Sequence, residues 1–262
     1  MKIVNRSGVP ESLFKYLLND TYDYSEKGNS ISATELLKPL QACILKRRYD
    51  SLLEMDAIDR LWSLLGSGVH AILEDEKGIE KIERLKTVVE GREVSGKFDR
   101  IFNNKITDYK VTSAWTVVFK SREPEWIWQL SIYRWLYFKA KGVTLDETGS
   151  IVAILRDWSE KNSKTKDGRP NDRYPKAPAV ELNYRLHSLE DTEKHVTELV
   201  KNIIRNETVD DARLPECSDE DRWYNKDKKV YMRCAKYCEV NKFCKQFERE
   251  NIFESIEVAE VA

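Results

Sequence analysis

One short stretch restricts the fold more than any other: Asp99-Arg100-Ile101-Phe102-Asn103-Asn104-Lys105-Ile106-Thr107-Asp108-Tyr109-Lys110. Two β-rich runs flank Asn103-Asn104, and an Asn pair between such runs predicts a two-residue hairpin turn. Asp99 and Asp108 stand at matching distances from that turn. In an antiparallel pair they face each other with Cβ atoms roughly 5 Å apart. Two unpaired carboxylates so close repel, and a hard divalent cation such as Mg²⁺ relieves the conflict by taking oxygen ligands. Lys110 lies two residues after Asp108, so period-two alternation puts both on one strand face. An ammonium and a metal beside paired acids suit phosphodiester hydrolysis. The three residues alone equally fit a salt-bridge ladder on a solvated strand face.

The surrounding pattern predicts an α/β (α+β) domain with a mixed central sheet flanked by helices. A short helix is expected at Pro10–Leu18, and another after Ser32-Ala33-Thr34-Glu35, with Pro39 kinking or dividing it. A helix from about Asp56 to Asp75 has an apolar face of Ile58, Leu61, Trp62, Leu65, Val69 and Ile72. Its Gly66-Ser67-Gly68 weakens a helix and reads as kept for close packing or a kink. Three antiparallel strands follow: Thr87–Glu90, Val94–Phe102 and Lys105–Val111. A long helix over 125–141, a buried strand at Ile151–Leu155, an alternating strand at Val180–Leu186 and an amphipathic helix at Leu189–Arg205 complete the core. The expected organisation is a polar segment at 1–31, the core at 32–206, an acidic linker with a cysteine tail at 207–250, and a terminal tail at 251–262.

Taken singly, His70 reads as a core histidine, and Gln129 with Tyr133, four apart on one helix face, as packing residues. In order, Gly68-Val69-His70, Gly96-Lys97-Phe98-Asp99-Arg100, Ile106-Thr107-Asp108-Tyr109-Lys110-Val111 and Gln129-Leu130-Ser131-Ile132-Tyr133 resemble the RecB-like branch of the PD-(D/E)XK nuclease superfamily. The resemblance spans residues 32–135 and implies a restriction-endonuclease-like fold. It further implies that His70, Asp99 and Asp108 bind Mg²⁺ or Mn²⁺, with the carbonyl of Tyr109 as a further ligand. Lys110 then helps to activate water, and Gln129 and Tyr133 border the site. Asp108 stands where many members carry Glu. Glu74, one turn after His70, is equally a supporting or a solvated carboxylate.

Four of the five cysteines lie near the carboxyl end, as Cys217-x16-Cys234-x3-Cys238-x5-Cys244. Soft thiolates at such spacing suit Zn²⁺ or an iron–sulfur cluster. The last spacings resemble the iron–sulfur staple of some RecB-like nucleases, including the CRISPR-associated adaptation nucleases. In those, one ligand comes from the amino-terminal part. Here Lys38 occupies the place before Pro39 where that cysteine often stands, so Cys43 or Cys217 is the fourth ligand, with Cys217 favoured.

Lys plus Arg number 44 against 45 Asp plus Glu, so any polyanion site is a local patch. The basic stretches Lys161–Lys176 and Lys226–Lys245 are candidates for following a phosphate backbone, with Trp115, Trp158 and Tyr174 available to stack on unpaired bases. None reads sequence, so little base specificity is expected. No apolar run reaches the ~18–20 residues of a membrane span. The amino terminus lacks an apolar signal core, so a cytoplasmic protein of a bacterium, or of a phage in its host, is expected. The resemblance implies a metal-dependent deoxyribonuclease, most simply an exonuclease in DNA end processing or recombination, with recombination or repair proteins as further partners. A catalytically silent DNA-binding adaptor and a zinc-binding interaction module are the alternatives.

Overall fold

The computed structural model describes residues 1–18, 29–74 and 82–250, with the side chains of Trp62 and Glu74 outside that description. The chain forms two compact units. One comprises 1–20, 38–60 and 198–262, the other 21–37 and 61–197.

The second unit holds the candidate site. Strand β2 (Ser30–Ser32) leads into α2 (Ala33–Leu36), whose first turn is capped by the Ser32 side chain accepting from the Glu35 N–H. Strands β4 (Leu85–Val89) and β5 (Arg92–Gly96) are antiparallel, and β2 runs parallel to β5, giving the order β2-β5-β4. A second sheet has the order β6-β7-β8-β9, from Arg100–Phe102, Lys105–Thr112, Thr148–Leu155 and Ala179–Arg185. Strands β7 and β8 are parallel and the outer pairs antiparallel. The fold is a mixed α/β arrangement of mixed sheets flanked by helices, as the pattern predicts.

The expected single strand Val94–Phe102 is in fact two. Strand β5 ends at Gly96, and β6 begins at Arg100 in the other sheet. The break has a physical cause on either side. The Phe98 ring is fully buried, its centroid 5.9 Å from that of Tyr133 and 6.0 Å from that of Tyr137. Asp99 turns to accept the backbone N–H of Tyr109 at 2.6 Å. The chain therefore leaves one ladder to bury an aromatic ring and enters the next one carrying an acid at its mouth.

Helix α6 (Glu123–Lys141) is the core's central element, with Trp126, Leu130, Ile132, Trp135 and Leu136 all buried. Acidic residues occupy its first turn and lysines its last, complementing the helix dipole, and Gly142 at φ 70° ends it. It lies so close to β5 that a Cβ on Gly96 would meet Leu136 Cδ1 and Tyr133 Cε1, each at 2.9 Å. Gly66 and Gly68 of α4 (Ala57–Glu74) are different: a Cβ on either meets no described atom, so close packing there does not account for them. On the same helix Leu65 and Ile72 are exposed, against the expected core-facing stripe. A five-residue helix, α5 (Ala114–Val118), follows β7 directly. Helix α7 (Leu189–Asn206) buries Thr192, Val196, Val200 and Ile203 at helical spacing.

The first unit contains a parallel pair absent from the sequence reading, β1 (Lys2–Val4) with β3 (Glu54–Asp56), and helix α1 (Glu11–Leu18). Pro39 divides rather than kinks: it stands at the N-cap of α3 (Leu40–Tyr49). Near the carboxyl end lie α8 (Asp219–Arg222) and a hairpin of β10 (Tyr224–Asn225) and β11 (Val230–Tyr231). Among the described residues no helix is long and apolar enough to cross a membrane.

Candidate active site

The β6–β7 hairpin forms as the Asn pair predicts. Phe102 pairs with Lys105, and Asn103 and Asn104 take φ of 49° and 62°. Positive φ at both central residues is the two-residue turn that matches strand twist. The register runs Phe102 with Lys105, Ile101 with Ile106 and Arg100 with Thr107. One further step sets Asp99 against Asp108. Asp99 itself sits in the bend before β6, not within a strand.

Four of the candidate side chains gather here. His70 Nδ1 is 2.7 Å from Asp99 Oδ1, and Lys110 Nζ is 2.5 Å from Asp108 Oδ2. The Asp99 and Asp108 side chains are only 8% and 4% exposed. Burial raises the Asp108 pKa, and Asp99 adds to that, while Lys110 and His70 oppose it. The hydrogen bond to Asp99 raises the His70 pKa above its ordinary value, against the effect of burial. Each acid thus has one basic group against it. Asp108 Oδ2 has no contact with solvent, and the Lys110 ammonium 2.5 Å away is its partner. A buried carboxylate costs free energy unless a cation stands against it, and here the Lys110 ammonium does.

Gln129 and Tyr133 are both buried, and the Gln129 amide donates to the Tyr133 hydroxyl at 3.0 Å. They are packed on α6, where Tyr133 backs Phe98 and hence the bend that carries Asp99. The Tyr109 hydroxyl accepts from Arg100 at 3.1 Å. Next to Asp108 on β7, Thr107 shares a buried hydrogen bond of 3.0 Å with Ser150 of β8. Among the described residues no three His, Cys, Asp or Glu side chains are set as a ready metal-binding group. His70, Asp99 and Asp108 are therefore near one another but closed into two ion pairs.

The cysteines lie in the first unit, all free thiols. Cys217 and Cys244 both donate to the Gln41 side-chain oxygen, at 3.6 and 3.4 Å. Burial pushes Cys217 up to about 12 and Cys234 to about 11, with the neighbouring thiols adding to both. Cys43 points its thiol at the Lys38 carbonyl, 3.7 Å away. The formed staple expected from the spacing is not present: the thiols are neighbours without a ligand-set geometry. Gln41, which bridges two of them, carries no signal in the sequence.

Of the aromatics proposed for base stacking, two are occupied. Tyr174 is buried and its hydroxyl accepts the Ser159 N–H, and the Trp158 indole N–H donates to the Pro175 carbonyl. Both tie the 156–176 loop down. Trp115 remains exposed on α5, stacked on Phe119, which is more exposed still. Nothing in the spacing of Phe119 marks it as exposed.

No protein-family profile and no curated relative matches the sequence. Among solved structures, the protein SSO0001 is similar over 90% of this chain and 95% of its own, with a TM-score of 0.50 at 20% identity. An alkaline exonuclease from Laribacter hongkongensis aligns over 69% of this chain and 90% of its own, with a TM-score of 0.42 at 12% identity. A phage-related exonuclease from Haemophilus somnus 129PT aligns over 75% and 79%, with a TM-score of 0.30 at 14% identity. The likeness to the first is one of fold, and the two exonucleases superpose too loosely to bear on this chain's chemistry.

Proposed function

We propose that the chain is a metal-dependent deoxyribonuclease that hydrolyses phosphodiester bonds from DNA ends. The observation that carries this is the gathering of His70, Asp99, Asp108 and Lys110 at the hairpin, with the two acid side chains only 8% and 4% exposed. Hard oxygen donors and an imidazole suit Mg²⁺ or Mn²⁺. His70, Asp99, Asp108 and the Tyr109 carbonyl would hold such an ion, which when bound activates water and neutralises phosphate charge. Lys110 is one-fifth exposed and so reaches both Asp108 and solvent. Its ammonium holds the attacking water and stabilises charge on the phosphate oxygens as the P–O bond to the leaving hydroxyl breaks. Gln129 and Tyr133 act behind the site by fixing the Phe98–Asp99 bend. Lys161, Lys166 and Arg173 have no ion-pair partner among the described residues, which suits the 156–176 loop to a phosphate backbone. The staple belongs to the same reading: Cys217, Cys234, Cys238 and Cys244, already mutual neighbours, close on an iron–sulfur cluster or Zn²⁺.

The test is degradation of end-labelled and circular DNA with Mg²⁺ or Mn²⁺. Cleavage of linear DNA alone, lost with EDTA and in Asp108→Ala, is expected. The two closed ion pairs favour a second reading, in which the acids are structural and the chain is a DNA-binding adaptor. DNA binding with no cleavage in either metal supports that reading and rejects the first. Anaerobic purification with metal analysis and a visible spectrum tests the staple, since iron–sulfur absorbs in the visible and zinc does not.

A further inference from the structure

Exposed aromatic and basic side chains cluster on the first unit, around the β10–β11 hairpin. Trp223, Tyr224 and Tyr237 expose 52%, 49% and 66% of their surfaces. They belong to two ring pairs close in sequence. The Trp223 and Tyr237 ring centroids are 5.9 Å apart, and Tyr224 lies cross-strand from Tyr231 with centroids 5.0 Å apart. Single exposed aromatics are ordinary, whereas an adjoining exposed pair such as Trp223 and Tyr237 marks a contact surface. Trp223 also sits at φ 59°, a conformation rare for a bulky residue. The chain takes it to end α8 with the indole turned outward.

The base of the patch is fixed. Tyr231 donates its hydroxyl to Asp219 at 2.7 Å, and the buried Arg222 guanidinium lies 3.6 Å from the Tyr231 ring centroid. Arg222 in turn pairs with Asp219 and Glu250. Arg233 lies 5.3 Å over the Trp223 ring. The rings are thus held before any partner arrives, which lowers the ordering cost of binding.

Charge identifies the partner. Lys226, Lys228 and Lys229 occupy the hairpin tip and Lys236 adjoins Tyr237. All four are exposed, and none has an ion-pair partner among the described residues. A pocket beside Tyr237 adds Lys38, Lys46 and Arg233 against the single carboxylate of Glu239, to which both lysines are already bound. Exposed rings beside unpaired ammonium groups match alternating bases and phosphates, and exposed ring faces accept only bases that are not already stacked in a duplex.

We propose that this face of the first unit binds single-stranded DNA, with Trp223, Tyr224 and Tyr237 stacking on bases and Lys226, Lys228, Lys229 and Lys236 on phosphates. The proposal does not depend on the hydrolytic reading, because binding here needs neither a metal at the hairpin site nor Asp108. The test is fluorescence anisotropy of a labelled oligonucleotide without added Mg²⁺ or Mn²⁺ and without chelator, using the full chain with Asp108→Ala. Single strands are expected to bind more tightly than a duplex of equal length. Tyr237→Ala and Trp223→Ala should each weaken single-strand binding about tenfold and duplex binding little. Lys228→Ala with Lys236→Ala should flatten the slope of log affinity against log salt by roughly 1.4. The lysine variant covers the case in which Trp223→Ala misfolds, and circular dichroism checks each. Equal affinity for single strand and duplex, or single-strand binding unchanged in both Tyr237→Ala and the lysine variant, overturns the proposal.

Discussion

Removing the Lys110 ammonium probes the logic of the candidate site most directly. In Lys110→Met the side-chain length is kept and the charge is lost. Asp108 is then a 4% exposed carboxylate whose nearest cation, 2.5 Å away, has gone, while Asp99 still stands opposite. Breaking one partner from a buried pair costs on the order of 3–5 kcal/mol. Lys110 is one-fifth exposed and Asp108 can take up a proton, so about 3 kcal/mol is the reasonable figure. For a chain of this size that lowers Tm by roughly 6–12 °C. The assay is thermal unfolding in EDTA at pH 8, repeated with millimolar Mg²⁺. The cation no longer competes with an ammonium, so Mg²⁺ should raise Tm more in Lys110→Met than in the natural chain. At a hundred times its dissociation constant it restores about 2.7 kcal/mol. Asp108→Asn should lose the Mg²⁺ effect altogether. An unchanged Tm for Lys110→Met in EDTA, or a Mg²⁺ shift no larger than in the natural chain, refutes the idea that Lys110 occupies the place of a cation.

Three further outcomes follow from the geometry. Gly96→Ala forces a methyl to 2.9 Å from Leu136 and Tyr133, and should cost about 1–3 kcal/mol in urea unfolding and impair the site by shifting the Phe98–Asp99 bend. Asn103→Val puts a β-branched residue at φ 49° in the turn, costing roughly 1–2 kcal/mol, whereas Asn103→Gly should be neutral; equal stabilities would refute the turn's role in setting the Asp99–Asp108 register. His195 stacks 3.8 Å from the Trp128 ring, and burial lowers its pKa below the ordinary 6.5, with His187 on the other ring face adding to this. A depressed histidine pKa means the unfolded chain binds the extra proton first, so this contribution is full above pH 6.5 and declines as pH falls toward the folded value. His195→Phe, which keeps the stack, should flatten that part of the stability–pH curve, measured by denaturant titration between pH 5 and 7.5.

What the sequence reveals of the site depends on how local each constraint is. The Asn103-Asn104 turn and the two acids lie within ten residues, so turn chemistry alone predicts their register. The buried strand at β8 and the long helix α6 are legible because their apolar residues outnumber what a surface can hold. The break between β5 and β6 is not legible locally. Lys97-Phe98-Asp99 has ordinary strand character, and the cause of the break lies on α6 and β7, in the aromatic rings around Phe98 and the Tyr109 N–H. The pairing of β1 with β3 is hidden for a similar reason, since three-residue strands fifty residues apart carry no periodicity.

The same distinction explains why the two groups of metal-ligand candidates look different in the fold. His70, Asp99, Asp108 and Lys110 come from a helix and a hairpin whose backbones are held by ladders and by the Tyr109 N–H, so the side chains meet through backbone placement. The carboxyl-end cysteines come from a segment of single turns and two-residue strands, where little besides Gln41 and the Arg222–Asp219–Tyr231 contacts fixes the backbone. Ladders can preorganise carboxylates against their own repulsion, because the backbone bonds outnumber the charges. A chain of short turns would not hold four thiolates together against theirs, so under the proposed staple the metal supplies the organisation and folding is coupled to its binding. The order of events follows. Chelation should leave the hairpin site's fold intact, with its amide protons still slow to exchange, while the 217–244 segment loses protection; equal protection of that segment with and without metal would refute the coupling.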